Sequence, residues 1–199
     1  MPERGELPLL KIQIIMGSTR RGRFSERPAR WIHAMAAERD GLDAELIDLR
    51  EYPLPFFDEP VTPSAARESY TAPGVMRWTG KVKQGDGYIV VAPEYNHGYP
   101  AVLKNAIDYV FEAWHGKPIG FVSYGSAMGV RSVEQLRLVS VELRMMPIRD
   151  ALHIPPQIFN AARDATAEEA QALLQQLNVP AGVMLDQILL WAGRLRMFR

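Results

Sequence analysis

The chain has 199 residues, which at roughly 150 residues per domain favours one compact domain spanning 1–199. Its composition, 47% hydrophobic and 23% charged, is too apolar for a disordered chain and lacks the bias of a fibrous one. Lys plus Arg and Asp plus Glu each number 23 and Cys is absent, so no overall positive field draws the chain to nucleic acid or anionic lipid, and disulfides, Cys-based zinc sites and thiol nucleophiles are excluded.

Leu9 to Met16 is a β-branched run closed by Gly17, and the segment from Ser25 to Gly41 carries helix punctuation at both ends. Ser25 is placed to cap that helix, Pro28 to sit in its first turn and Gly41 to follow its end. Asp43 to Leu49 gives a second strand. Residues 50–72 hold four prolines and no sustained period, which predicts a long loop of the kind that is usually functional or mobile. Gly87 to Ala92 and Ile119 to Tyr124 are continuous apolar strands of the sort buried on both faces of a parallel sheet.

From Pro100, Leu103, Ala106, Ile107, Val110, Phe111 and Trp114 fall on one stripe and predict a helix running to Trp114. Val130 to Met145 is a further amphipathic helix, and Ala151 to Ile154 a short last strand. Thr166 with Glu169 forms a capping box opening a helix that ends near Asn178, and Pro180 starts a last helix over about 180–198. Strands alternating with helices predict an α/β, flavodoxin-like three-layer sandwich: a five-stranded parallel sheet with helices on both faces. In such sheets ligands bind at the carboxyl ends of the strands, which singles out the loops after strands one, three and four.

The first of these loops, GSTRRGRFS at residues 17–25, supplies backbone N–H groups near a helix amino end, hydroxyls on Ser18, Thr19 and Ser25, and guanidiniums on Arg20, Arg21 and Arg23. These are the parts of a phosphate site, although a solvated basic turn has the same composition. No Gly-Lys-Ser/Thr follows and the GxGxxG spacing is missing, so it is neither a Walker loop nor a dinucleotide fingerprint. The second, PEYNHGYPAVLKNAID at residues 93–108, offers flat faces on Tyr95 and Tyr99, an amide on Asn96 and close backbone approach at Gly98, which suits a flat heteroaromatic ring. Lys104 and Asp108 in it make a helical surface pair as readily as an interface. His97 lacks a partner at metal-ligand spacing, and no metal is expected. The third, SYGSAMG at residues 123–129, gives backbone amides access to a ring edge, as any tight strand-to-helix turn would. One loop suited to phosphate and two to a planar ring point to flavin mononucleotide (FMN).

GSTRRGRFS and PEYNHGYPAVLKNAIDYV resemble the signatures of the NADPH-dependent FMN reductase family over residues 9 to about 178. The resemblance implies strand order 2-1-3-4-5, bound FMN, NADPH or NADH as electron donor, and flavins, quinones, azo dyes or metal oxyanions as acceptors. It matches Ser18, Arg20 and Ser25 to the phosphate loop, with Arg23 and Phe24 as neighbours. Pro93, Glu94, Tyr95 and Asn96 match the isoalloxazine segment, and Ser123, Tyr124 and Gly125 the second ring-edge loop. Many members carry an Asn where this chain has Glu26 and Arg27, which makes Arg23 a substitute ligand. The cofactor does the chemistry, so no catalytic acid or base is named.

The resemblance also implies a homodimer or dimer of dimers through the helix from Pro100 to Trp114, with Tyr99, Tyr109 and Trp114 supplying aromatic surface. No apolar run approaches the roughly 18 residues a spanning helix needs and the amino terminus lacks a secretory pattern, so a cytoplasmic protein with small-molecule partners is expected. The alternative function is a non-enzymatic, flavodoxin-type FMN electron carrier, against which the balanced charge argues, since such carriers are commonly acidic.

Overall fold

The computed structural model describes residues 9–198; residues 1–8 and 199, the ends of the expected domain, lie outside it. The central sheet is parallel throughout, built on β1 (Leu10–Met16), β2 (Leu42–Asp48), β3 (Gly87–Pro93) and β4 (Pro118–Tyr124). The order is β2-β1-β3-β4 followed by a fifth position, the expected 2-1-3-4-5. That fifth position holds two short pieces, β5 (Met146–Pro147) and β6 (Leu152–His153), which pair with successive stretches of β4. The sequence pattern finds only the second piece. Between them the carbonyls of Ile148 and Arg149 accept from the Arg137 guanidinium at 2.6 and 2.8 Å, so a side chain supplies the donors that an unbroken strand would not need.

Every residue of β3 and β4 is buried, as unbroken apolar runs require when helices cover both faces. The period-2 alternation of side chains divides the core in two. Ile12, Ile14 and Met16 of β1 join Ile89, Val91 and Val122 under α1 (Glu26–Ala37) and the later helices α7 (Ala167–Gln175) and α8 (Asn178–Arg196). Ile15, Val90, Ala92 and Phe121 face the other layer, α3 (Pro73–Lys83), α4 (Ala101–Asp108) and α5 (Val130–Glu142). Each such side chain contributes roughly 1.5–3 kcal/mol by burial, which is why polar residues are rare there. Gln13 is the exception on β1, and its amide donates to the Lys81 carbonyl at 2.8 Å and to Glu45 at 3.1 Å.

The helix expected to run to Trp114 stops at Asp108, and a separate 3-10 turn covers Glu112–Trp114. Its continuation is interrupted where the Glu68 carboxylate accepts the N–H groups of Phe111 and Ala113 at 3.1 and 2.9 Å. Tyr109 and Trp114 are almost fully buried, so they do not supply the aromatic surface expected of them. The long segment after β2 contains a 3-10 turn at Leu49–Glu51 and the short helix α2 (Pro63–Ala66). It is pinned to α4 by Asn105, whose amide accepts from Phe57 N–H at 2.9 Å and donates to the Pro55 carbonyl at 2.7 Å. Toward the end of the chain, α6 (Pro156–Asp164) was not read from sequence, whereas the Thr166–Glu169 capping box opens α7 as expected. The last helix starts at Asn178, two residues before Pro180, and Asn178 accepts from the Trp31 indole at 3.0 Å.

Candidate functional site

Neighbouring β2 and β3 on either side of β1 are reached by crossovers running in opposite directions, so the carboxyl ends of β1 and β3 open a crevice. The loop after β1 enters it closely. A Cβ on Gly17 would meet Leu103 at 3.0 Å and the Val91 carbonyl at 3.1 Å, and Gly17 N–H donates to that same carbonyl at 2.9 Å.

Beyond Gly17 the loop has satisfied carbonyls and unsatisfied amides. Arg23 donates to the Ser18 carbonyl at 2.7 Å, and Arg50 to the Arg20 carbonyl at 2.7 Å and the Thr19 carbonyl at 3.3 Å. Among the described residues, the N–H groups of Thr19, Arg21, Gly22 and Phe24 meet no acceptor. Ser25 is wholly buried and its hydroxyl has no well-formed bond, so the expected side-chain cap on α1 is absent. A run of free amides at a helix amino end is an anion-binding arrangement. Arg20 and Arg21 are exposed beside it.

Arg23 is placed differently from Arg20. Its guanidinium is buried and forms a two-pronged ion pair with Asp48 at the end of β2, Nη1 to Oδ1 at 2.6 Å. Burial opposes the charge on Asp48, but the bonds from Arg23 and from Arg50 N–H outweigh it and hold the carboxyl below its usual range. Arg23 therefore braces the loop from beneath.

The loop after β3 is self-contained. Tyr95 and Gly98 exchange backbone hydrogen bonds at 2.8 and 3.1 Å, and Asn96 (φ 49°) and His97 (φ 72°) form the two left-handed positions between them, as a type I′ turn requires. Gln135 of α5 donates to the His97 carbonyl at 2.7 Å. Arg131 Nη1 donates to His97 Nδ1 at 3.0 Å. Arg131 also pairs with the buried Glu94 carboxylate, so that carboxylate is turned into α5. Tyr95 stays partly exposed, and its phenol reaches across to the Ser18 hydroxyl at 3.0 Å.

The loop after β4 joins the second through Glu94 N–H, which donates to the Tyr124 carbonyl at 3.1 Å. Gly125 (φ 144°), Met128 (φ 57°) and Gly129 (φ 74°) bend it sharply, and a Cβ on Gly129 would lie 2.7 Å from Ser123. Ser123 is buried and donates to the Met128 carbonyl at 2.7 Å. Its proton is thus committed, so His153 Nδ1, also 2.7 Å away, must donate to it. Burial and the Arg137 charge push the His153 pKa down, which keeps the ring neutral.

Of the residues singled out from sequence, Ser18, Arg20, Pro93, Tyr95, Asn96 and Gly125 lie along the crevice edge. Phe24 and Tyr124 lie beneath it, packed edge to face with centroids 5.0 Å apart and both against Phe159. Burial pushes the Tyr124 phenol far up, so it remains protonated. Lys104 and Asp108 form the expected helical pair at 2.7 Å. Sequence reasoning missed Asp48, Arg50, Arg131, Gln135 and His153. The signal for the first two was available, because they flank the end of the second strand on the same sheet edge. Among the described residues no group of His, Cys, Asp or Glu is placed to hold a metal, and no helix is long and apolar enough to cross a membrane.

The sequence model of the NADPH-dependent FMN reductases matches residues 10–157. The chain is 39% identical over 147 residues to an NAD(P)H-dependent FMN reductase of Schizosaccharomyces pombe, covering 73% of this chain and 74% of that one. It is 26% identical over 149 residues to a quinone reductase of Pseudomonas putida, covering 70% and 75%. Among solved structures, the flavoenzyme NAD(P)H:(acceptor) oxidoreductase FerB of Paracoccus denitrificans shares the fold at a TM-score of 0.68 and 18% identity, over 94% of this chain and 98% of that one.

Proposed function

Because the chain belongs to the NADPH-dependent FMN reductase family, we propose that its three loops hold FMN and that it passes hydride from NADPH or NADH to flavin, quinone, azo or metal-oxyanion acceptors. The observation that carries this reading is the Ser18–Tyr95 hydrogen bond, which joins the donor-rich loop to the ring-sized hairpin across the crevice. The fit is complementary: free amides of residues 19–24 lack the acceptors that a phosphate would bring, and the hairpin beside them already has its shape.

In this reading Ser18, the loop amides and Arg20 hold the phosphate, with the buried Ser25 hydroxyl beside Tyr124 at the end of the loop. Pro93, Tyr95, Asn96, Ser123 and Gly125 line the ring, while Arg23, Phe24, Glu94 and Tyr124 position those groups from below. Bound FMN supplies the hydride-accepting ring. The protein's own part is orientation and exclusion of water, and hydride transfer asks no proton of its side chains. Residues 1–199 are taken as one domain, since α8 packs on the same sheet. The assembly proposed is a homodimer, its support now the exposed Phe56, Leu138 and Val141.

The test is anaerobic mixing of the purified protein with NADPH. It should be yellow as isolated and bleach within the mixing experiment, and steady-state rates with a quinone should follow ping-pong kinetics as donor and acceptor use the open side of the site in turn. Protein that is yellow but unbleached by either nicotinamide cofactor would make it an electron carrier instead.

A further inference from the structure

A groove of about 350 Å³ runs between α1 and α7, starting at Arg23 and following α1 down to Ala34. Its size is that of a small-ligand site. Arg23, Arg27 and Arg30 fall on one stripe of the chain and line it against a single carboxylate, Glu26. Trp31 and Leu174 make its apolar floor, and Ala34, Ala167 and Ala170 on the two facing walls are too small to close it. The α7 wall lies outside residues 10–157, so the groove joins the segment matched by the family model to the carboxyl-terminal layer.

Arg23 at its upper end has one atom without a partner among the described residues. The Arg23 side chain is 2% exposed, both of its Nη atoms are engaged by Asp48 and Ser18, and its Nε donates to nothing. Its Nε is closed off from the groove, so Arg23 gives this end its charge without itself reaching a ligand. At the same end Arg27 donates to the Ala165 and Thr166 carbonyls at 2.7 and 2.8 Å, which fixes its guanidinium across the mouth between α6 and α7. The arrangement is a cationic end followed by an apolar slot.

We propose that this groove is a second ligand site, separate from the crevice at the sheet edge, that takes an aromatic carboxylate. The carboxylate meets Arg27, and the ring lies over Trp31 between the alanine walls. It requires no chemistry of the ligand.

The test is calorimetric titration of the FMN-loaded full chain with 2-naphthoate, with 2-naphthamide as the uncharged control. One site is expected, weakened about tenfold or more for the amide and in Ala34→Trp, which fills the slot from an exposed position. Ala167→Glu, exposed at the first position of α7 where a carboxylate suits the helix, should weaken it similarly without loss of folding. Flavin absorbance should not change on binding. Absence of heat up to about 5 mM naphthoate, affinity unaltered in both variants, or displacement by NADPH would each overturn the proposal.

Discussion

The loop after β1 and the hairpin after β3 border the same crevice but are finished to different degrees. In the first, arginines take the carbonyls and the amides are left without acceptors. In the second, the turn closes on itself and α5 braces it through Gln135 and Arg131. On the proposed reading the contrast has a reason: a phosphate brings charge and acceptors of its own, whereas a ring needs only a surface already in place.

The largest effect should come from cutting the brace under the first loop. Asp48→Ala leaves the Arg23 charge buried with no carboxylate beside it closer than Glu26 at 4.0 Å, and should cost roughly 3 kcal/mol in urea unfolding. Glu94→Gln under the hairpin should cost about 1 kcal/mol or less, since Arg131 is 38% exposed and can turn to water. Equal losses would erase the distinction between the loops.

Next in size is selectivity for the phosphate. Arg20→Ala should weaken FMN binding by roughly 1.5–3 kcal/mol and leave riboflavin nearly unchanged, as loss of a charge-assisted bond to phosphate does. Arg131→Met, acting on the ring side, should weaken both ligands alike. Fluorescence titration of each flavin distinguishes the two patterns.

The third loop should be sensitive to acid. The His153 pKa is lowered in the fold, so its protonation favours the unfolded chain: stability is complete above the unfolded value of about 6.5 and declines as pH falls through it toward the lowered one. Thermal unfolding between pH 7 and pH 5 should show the decline, and His153→Asn should flatten it. Asp48 adds a second loss only below about pH 4, because its pKa is lowered and its contribution is full above the unfolded carboxylate value. The smallest effect is expected for His97→Ala, which should keep flavin reduction by NADPH within about tenfold, a barrier change below roughly 1.4 kcal/mol. A thousandfold loss would make His97 a proton-transfer group.

The strands of the sheet and the three loops were legible because apolar strands, glycines and hydroxyl-rich turns are local signals, whereas the strand order came from the family resemblance. What the sequence hid was set by distant partners. Glu68 interrupts the helical stripe before Trp114 from more than forty positions away, and no pattern in residues 100–114 announces it. Arg23 reads as a phosphate ligand from its neighbours, and only the end of β2 brings Asp48 to claim it. The fifth strand was half visible, since its first piece is two residues long and includes a proline. The Arg131–Glu94 brace joins a helix start to a loop that precedes it by a whole strand.

Amide hydrogen exchange of the apoprotein and the FMN-loaded protein measures the contrast directly. The amides of Tyr95 and Gly98 should be protected in both states, and those of Thr19, Arg21, Gly22 and Phe24 should gain strong protection only when FMN is bound. First-loop amides that exchange equally fast with and without FMN would contradict a phosphate site there, and a hairpin protected only in the bound state would contradict a ring surface formed in advance.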